Sequence, residues 1–263
     1  MPMAPIMNDM TVPATPTAPA MPTAPTASVE PAGTTPALDC RQAPNTHRRT
    51  PNTHQAPNTG DPNPAPPSLD FDAVVRTHDA LSAVLPETPA WSYPLLTMAA
   101  GVDVVVKHEN VQPTGAFKVR GGVALMATLS EKERSRGVVT ASTGNHAQSL
   151  AWAGARRGAP VTVVVPTSAP ARKTSAVRAL GARVIVEGET MCDSLAHAGR
   201  LAAAEGMRLV SPGDEPAIIL GHATVYLELF RRHRDLGTVY VPVGSGSGAA
   251  GACLVRDALA PDC

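Results

Sequence analysis

From residue 70 onward, short runs of β-branched residues alternate with longer stretches rich in alanine, leucine and arginine. The runs have the length and composition of buried strands, and the stretches between them space their apolar residues as helices do. Strands that alternate with helices form parallel sheets covered by helices, so the pattern predicts an α/β fold. The predicted strands are residues 102–107, 137–140, 161–165, 183–187 and 238–243.

The predicted helices fill the gaps between these strands. The first one starts after Asp70 or Asp72, either of which can cap it, and it is followed by Pro86. In such folds ligands bind beyond the carboxyl ends of the strands, so the loops there are the place to look for chemistry. The other predicted helices are residues 117–129, 145–157, 171–180, 191–204 and 224–232, with an alanine-rich helix after the last strand.

The first 69 residues have a different composition from the rest of the chain. Residues 1–67 hold 16 of the 27 prolines, whereas all eight aromatic residues lie at Phe71 or beyond. A segment with so little apolar surface cannot bury a core, so we predict a disordered tail rich in proline, threonine and alanine. Residues 70–263 are long enough for one large domain or two small ones, and the function is expected there.

The charges and the cysteines exclude several classes of function. The chain has 22 basic and 22 acidic residues and no basic run, which argues against a nucleic-acid partner. No stretch reaches the roughly 18 apolar residues that span a bilayer, and the first basic residue is Arg41, so we predict a cytoplasmic protein without a membrane partner. The four cysteines form no C-x-x-C pair, and the sequence predicts neither a disulfide framework nor a metal site.

The first unusual loop, KHENVQPTGAFKVRGG, runs from Lys107 to Gly122 and places Lys118 near the start of a helix. Lysine is scarce here, with 4 lysines against 18 arginines, and it can lose its proton to become a nucleophile, whereas arginine cannot. A helix N-terminus and partial burial would both lower the pKa of the amine, as an imine-forming lysine requires. The alternative is an ordinary surface lysine in the first helical turn.

The second loop, TASTGNHAQSLAWAGARRG, runs from Thr140 to Gly158 and joins a strand to an apolar helix. The hydroxyl groups of Ser142 and Thr143, with the first free N–H groups of the helix, would make a cradle for a carboxylate. An ordinary helix cap by either hydroxyl is the alternative. His146 could equally be a satisfied, partly buried histidine without a catalytic role.

The third loop, TVYVPVGSGSGAAGACL, joins the last predicted strand to an alanine-rich helix. Its glycines allow close approach of the backbone, its serines add hydroxyl donors, and the helix N-terminus favours an anion, so the loop predicts a phosphate site. Gly244, Gly246 and Ala249 also fit a loose G-x-G-x-x-A pattern, which is typical of dinucleotide binding.

In this order, the three loops resemble the threonine/serine dehydratase and serine racemase family, which are pyridoxal-phosphate-dependent enzymes of fold-type II and are similar to the tryptophan synthase beta subunit. The resemblance rests on KHENVQPTGAFKVRG from Lys107, on STGNHAQ from Ser142 and on the glycine-serine loop, and it covers residues 70–263. It implies two open parallel-sheet α/β domains, with a small domain of about residues 140–215 inserted in a large one.

The resemblance also implies a role for each loop. Lys118 would hold pyridoxal 5'-phosphate covalently and then act as the base at Cα, with Phe117 packed beside the cofactor. Asn145 would hydrogen-bond the ring hydroxyl oxygen, while Ser142 and Thr143 would hold the substrate carboxylate. The residues implied for the cofactor phosphate are Gly244, Ser245, Gly246, Ser247 and Gly248.

The function implied is that of an ammonia-lyase, or dehydratase, that converts threonine or serine to a 2-oxo acid and ammonia. The histidine at position 146, directly after Asn145, resembles the dehydratase and racemase branch of the family. Cysteine synthases and threonine synthases usually have threonine at this position. Thr143 stands where a racemase carries a serine that acts on the opposite face of Cα. Dehydration therefore ranks above racemisation, which is kept as the alternative.

The chain stops one helix after the phosphate loop, whereas members of the family continue with further strands and helices. We therefore expect the large domain to be incomplete at its C-terminus, and an inactive truncated relative is a second interpretation. A third is an NAD(P)-dependent oxidoreductase that uses the loop at Gly244. A complete form of the protein is expected to be a homo-oligomer.

Overall fold

The computed structural model describes residues 66–263. The tail predicted for residues 1–69 lies outside the described residues, apart from its last four. The first helix, α1, spans Phe71–Ser82, and Asp70 caps it by accepting a hydrogen bond from the N–H of Ala73 at 2.7 Å. The predicted start of this helix is confirmed.

The remaining elements follow one another along the chain. The other helices are α2 (Pro94–Ala100), α3 (Lys118–Thr128), α4 (Glu131–Arg136), α5 (Asn145–Arg157), α6 (Ala171–Ala179), α7 (Met191–Glu205), α8 (Pro216–Arg232) and α9 (Ser247–Leu259). The strands are β1 (Ala90–Ser92), β2 (Val105–Lys107), β3 (Val138–Ala141), β4 (Val161–Val165), β5 (Arg183–Val186) and β6 (Arg208–Leu209), and a 3-10 turn (Glu109–Val111) follows β2. Among residues 66–263, no helix combines the length and the apolar character that a membrane span needs.

Four strands form a parallel sheet in the order β5-β4-β3-β6. Every residue of β3 and β4 is buried, because helices cover both faces of the sheet. On one face Val138 belongs to the same apolar cluster as Leu150 of α5, and on the other face Val139 clusters with Ala198 of α7. The predicted α/β architecture with a parallel sheet is confirmed.

The first two strands form a separate sheet, and they run antiparallel, with Ala90 opposite Lys107 and Ser92 opposite Val105. The expectation that the predicted strand at residues 102–107 joins a parallel sheet is therefore wrong. The short helix α2 and the left-handed Gly101 after it, at φ +71°, reverse the chain between β1 and β2, so the nearest partner runs the other way.

The prediction of a strand at residues 238–243 is also wrong. The segment is extended, but it pairs with no strand among residues 66–263. Val239 and Val241 pack against the apolar cluster that contains Val255, whereas Tyr240 is 94% exposed. Alternating β-branched residues describe a segment that suits a sheet, but a strand also needs a neighbour to take its backbone hydrogen bonds.

Helix α8 begins at Pro216 rather than at the predicted residue 224, and proline is well suited to the first position of a helix. All its residues from 217 to 230 are buried, so α8 is surrounded by protein rather than lying on the surface.

Glycines allow two other helices to rest directly on the backbone of α8. A Cβ added at Gly221 would lie 2.5 Å from the carbonyl oxygen of Arg120 on α3. A Cβ at Gly251 on α9 would lie 2.8 Å from the backbone nitrogen of Ala223. Helices α3 and α9, which begin at predicted site residues, are therefore both packed closely on α8.

Candidate active site

Lys118 is the first residue of α3. The chain approaches it through Gly115, which adopts the left-handed conformation at φ +67° that favours glycine. The side chain is half-buried, and its Nζ donates a hydrogen bond to the Oγ of Ser247 at 3.1 Å. Burial lowers the pKa of Lys118, because desolvation disfavours the charged form. The predicted helix start is confirmed, and the half-buried side chain with its lowered pKa agrees with the prediction rather than with an ordinary surface lysine.

The glycine-serine loop turns into α9 at Gly246, which has a left-handed φ of +93°. Ser245 and Ser247 both donate their hydroxyl protons to the carbonyl oxygen of Pro212, at 2.8 and 2.9 Å. No atom lies within 4 Å of the position that a Cβ would take at Gly244 or Gly246. The loop is thus anchored on one side and has room for a ligand on the other.

Phe117 connects Lys118 with this loop. The Nζ of Lys118 lies 5.0 Å from the centroid of the Phe117 ring. A Cβ added at Gly248 would lie 3.1 Å from two atoms of the same ring, so the edge of the ring approaches the backbone of α9 closely. The structure therefore brings together Lys118, Phe117 and the residues at the start of α9, as the family resemblance implies.

The second predicted loop leads from β3 into α5, which begins at Asn145. Gly144 is the N-cap residue and no side chain caps the helix, so the ordinary cap by Ser142 or Thr143 is not formed. The Oγ of Ser142 accepts a hydrogen bond from the N–H of Gly144 at 3.3 Å. Asn145 is exposed, and there is open space beside Gly144. The first N–H groups of α5 are therefore left for a ligand or for water.

His146 brings this second loop within electrostatic reach of Lys118. It is buried, and its Nε2 lies 3.2 Å from the Oγ1 of Thr140. Burial and then the charge of Lys118 lower the pKa of His146 to about 4, so the imidazole is neutral at physiological pH. This geometry agrees with the interpretation of a satisfied buried histidine. Within residues 66–263, no hydrogen bond joins residues 142–145 to Lys118.

His222 on α8 is a neighbour of Lys118 that the sequence analysis did not identify. Its fully buried ring meets Phe117 edge to face, with centroids 4.9 Å apart, and a Cβ at Gly121 would lie 2.5 Å from its Nε2. Neither ring nitrogen makes a well-formed hydrogen bond in the described part of the chain. Burial, followed by the charges of Lys118 and His146, lowers the pKa of His222 well below its usual value. A single histidine on an apolar helix gives no sequence signal of this contact.

A buried ion network surrounds Arg120, the residue after Val119 in α3. The sequence did not predict it. Arg120 is 1% exposed and pairs with Glu109 and Glu228, and Lys107 pairs with Glu228 at 2.5 Å. Burial alone would raise the pKa of Glu228, but hydrogen bonds and charge from Arg120 and Lys107 lower it. Two cations balance two carboxylates, so the network is neutral overall. The 108-residue separation between Arg120 and Glu228 hides this pairing from any local pattern.

Comparison with known proteins gives one family. A family model described as pyridoxal-phosphate dependent enzyme matches residues 81–263. The biosynthetic L-threonine dehydratase of Escherichia coli is 40% identical over 158 residues, which cover 60% of this chain and 31% of that protein. The L-threonine ammonia-lyase of Thermotoga maritima is 39% identical over 191 residues, which cover 73% of this chain and 45% of that protein.

Solved structures show the same fold. The processed form of threonine deaminase isoform 2 from Solanum lycopersicum superposes with a TM-score of 0.67 at 35% identity, covering 75% of this chain and 56% of that one. Maize serine racemase superposes with a TM-score of 0.70 at 30% identity, covering 73% of this chain and 59% of that one.

The chain therefore spans less than two thirds of the length of each of these relatives. The match to the family model nevertheless contains all three loops described above and extends over more than half of the chain. The chain belongs to the family of pyridoxal-phosphate-dependent enzymes and has the α/β fold of its fold-type II members.

Proposed function

We propose that residues 70–263 form the catalytic region of a pyridoxal-phosphate-dependent threonine/serine ammonia-lyase, which converts a hydroxy amino acid to a 2-oxo acid and ammonia. The contact between Lys118 and Ser247 carries the proposal, because it sets a half-buried amine beside a glycine-rich helix start. Relatives named threonine dehydratase and threonine ammonia-lyase support the same reaction.

The residues of the site fit the cofactor. An aldehyde needs an amine with a lowered pKa, and burial supplies this at Lys118. A phosphate needs N–H donors and space, and α9 offers its unpaired first N–H groups next to the open sides of Gly244 and Gly246. The backbone N–H groups of Ser245, Ser247 and Gly248 complete the phosphate-binding set that we propose, since the hydroxyl groups of both serines already donate to Pro212.

Lys118 has two tasks in this proposal. Its amine would hold the cofactor covalently, and the same amine, when free, would be the base for the proton on the substrate Cα. Bound pyridoxal phosphate supplies an electron sink that stabilises negative charge at that carbon. Phe117 excludes water from one side of the amine, since its ring lies 5.0 Å from Nζ. Asn145, exposed at the start of α5, would donate its side-chain N–H to the ring hydroxyl oxygen of the cofactor.

The second loop is proposed to orient the substrate. The hydroxyl groups of Ser142 and Thr143 and the first N–H groups of α5 hold the substrate carboxylate at the positive end of the helix. The space beside Gly144 gives the carboxylate access to these groups. With the carboxylate fixed there, the Cα–H bond can be presented to Lys118.

An amino-acid racemase is the second candidate. The structural relatives include serine racemases and an aspartate racemase at 30 to 33% identity. Racemisation needs a group that delivers a proton to the face of Cα opposite Lys118, and the hydroxyl group of Thr143 is the candidate in this chain. Because the β-methyl group makes Thr143 bulkier than serine, we rank dehydration first.

The test uses the full chain loaded with pyridoxal phosphate. We expect a visible absorption band from the lysine-bound cofactor, together with release of a 2-oxo acid from threonine or serine. Lys118→Ala should abolish both, whereas Lys173→Ala, which removes an exposed lysine on α6, should keep them. Absence of the band from the unsubstituted chain would overturn the proposal.

The same experiment separates the alternatives. A band without turnover would identify the inactive relative, and D-serine formed from L-serine would identify the racemase. Binding of NAD(P) that survives Lys118→Ala would identify the oxidoreductase. The cytoplasmic location, the homo-oligomer and the small domain at about residues 140–215 stay predictions, and sedimentation of the native protein would measure the oligomer.

A further inference from the structure

The loop that carries Phe117 and Lys118 is closed at its two ends by one ion pair. Glu109 lies in the 3-10 turn before the loop, and Arg120 lies in the first turn of α3 after it. The pair is bidentate: Nε of Arg120 donates to Oε2 of Glu109 at 2.9 Å, and Nη2 donates to Oε1 at 2.8 Å. Two parallel charge-assisted bonds fix the orientation of both groups as well as their distance.

The guanidinium group of Arg120 is itself held by α8. Its Nη1 donates to Oε1 of Glu228 at 2.6 Å and to Oγ1 of Thr224 at 3.1 Å, and its Nη2 donates to Oε2 of Glu228 at 2.9 Å. In a buried site such bonds are little weakened by solvent, and loss of one partner leaves a charge without compensation. Arg120 therefore joins the loop to the helix on which α9 also rests.

Glu109 is fixed from a second side. The hydroxyl group of Thr88 donates to its Oε1 at 2.6 Å. Lys107 binds both Glu228 and the carbonyl oxygen of Thr88, which completes the charge balance around the pair. Thr88 and α8 thus contact the pair directly, and Lys107 of β2 supports it through Glu228 and Thr88.

The loop between the two residues has few polar anchors of its own. Gln112 Nε2 and Thr114 Oγ1 are buried, and neither has a hydrogen-bond partner within residues 66–263. The backbone of the loop makes two internal hydrogen bonds, from the N–H of Gly115 to the carbonyl oxygen of Gln112 at 2.7 Å and from the N–H of Val119 to that of Ala116 at 3.4 Å. Besides the hydrogen bond from Lys118 to Ser247, the ion pair at its ends is therefore the restraint that ties this loop to the rest of the described fold through charged groups.

We propose that Glu109 and Arg120 are positioning residues, which clamp the loop from 110 to 119 against α8 and so hold the Nζ of Lys118 beside Ser247. The clamp acts through the backbone of the loop, because no hydrogen bond among residues 66–263 joins Glu109 or Arg120 to the Nζ of Lys118. This inference rests on the proposed function, because it assigns the clamp to the lysine that we propose binds the cofactor.

Glu109→Gln is the most informative substitution. It keeps the shape of the side chain, removes its charge and one of the two bonds to Arg120, and leaves the pair between Arg120 and Glu228 intact, so the chain should fold. Glu215→Gln is the matched control, since it removes the carboxylate of another partly buried pair, with Arg208, away from the loop.

Two measurements test the clamp, and both start from the chain without bound cofactor. Amide hydrogen exchange of residues 110–119 should accelerate in Glu109→Gln, by roughly tenfold if the lost bond restrains local opening. The second measurement is the pH dependence of covalent capture of pyridoxal phosphate by Lys118, followed by borohydride reduction and peptide mass spectrometry. Its midpoint should move to higher pH, because a loosened loop lets water reach the amine.

A role in stability alone would lower the melting temperature without changing either measurement, and that result would overturn the clamp. Unchanged exchange in the loop would overturn it as well. Failure of the proposed function is distinguishable, because the unsubstituted chain would then capture no pyridoxal phosphate at Lys118 at any pH, while hydrogen exchange would still decide whether Glu109 restrains the loop.

Discussion

The Nζ of Lys118 donates a hydrogen bond to the Oγ of Ser247 at 3.1 Å, although 129 positions separate the two residues. The hydroxyl group of Ser247 donates a hydrogen bond to the carbonyl oxygen of Pro212, so it is oriented to accept from the lysine. The start of α3 and the start of α9 are thereby joined by a polar contact as well as by packing on α8.

Ser247→Ala should weaken binding of pyridoxal phosphate by roughly tenfold, because it removes the only side-chain acceptor that Lys118 has among residues 66–263. Titration of the visible absorption band gives the dissociation constant. Ser135→Ala, which removes an exposed serine on α4, is the control and should have no effect. Equal affinities of the two variants would contradict a role for the contact.

Lys118→Met should stabilise the folded chain without cofactor at neutral pH. Burial lowers the pKa of Lys118 in the folded state, so folding pays for desolvating the ammonium, and an unbranched apolar side chain removes this cost. The gain should shrink as pH rises toward the ordinary lysine value, where the unfolded chain also loses the proton. Urea unfolding at pH 7 and pH 10 measures both. A less stable variant at pH 7 would be the opposite result.

Protons should destabilise the fold through two histidines. In the folded chain the pKa values of His146 and His222 lie below the ordinary value of 6.5, and that of His146 is about 4. Below pH 6.5 the unfolded chain therefore binds more protons at these two histidines than the folded chain does. Stability should therefore fall as pH drops from 6.5 to 4, each histidine adding at most about 1.4 kcal/mol per pH unit.

Substitution of one of these histidines tests that pH dependence. His222→Gln should reduce the slope of unfolding free energy against pH between 6.5 and 5, and His197→Gln on α7 is the control. Imidazole nitrogen shifts measured by NMR give the protonation state directly. A His222 signal that titrates near pH 6.5 in the folded chain would rule out the buried neutral ring.

Two glycines within helices should respond to alanine in opposite ways. A Cβ at Gly122 on α3 would lie 2.5 Å from the carbonyl oxygen of Ser149 on α5, so Gly122→Ala should cost about 1–3 kcal/mol through overpacking. Gly199 on α7 has no atom within 4 Å of its Cβ position, so Gly199→Ala should add about 0.5–1 kcal/mol through helix propensity. Thermal unfolding measures both, and destabilisation by Gly199→Ala would show that its surroundings are not open.

The parts of the fold that local sequence determines were predictable. Helix α5 begins and ends at the predicted residues 145 and 157, and β4 has the predicted bounds, because apolar spacing and β-branched runs act over short distances. Lys118 could be placed at a helix start for the same reason. Local sequence could not show whether residues 238–243 form a strand, since a strand must pair with a second segment of the chain.

The site was predictable only where a motif is contiguous. Lys118 and Ser247 each belong to a recognisable loop, and their proximity follows from the fold. Glu228 and His222 lie on an apolar helix with no motif around them, and their importance arises from partners on α3. Contacts between residues so far apart depend on how helices pack, which spacing within one helix does not encode.

The ion network has a consequence for how the chain folds. Arg120 is synthesised 108 residues before Glu228, so its guanidinium group must stay hydrated until α8 is available to receive it. Because burying an unpaired charge is costly, we expect α8 to dock on α3 in one cooperative step that dehydrates both charges together. Because α9 packs on α8 at Gly251, we expect the amine of Lys118 and the glycine-serine loop to come together only after α8 has docked.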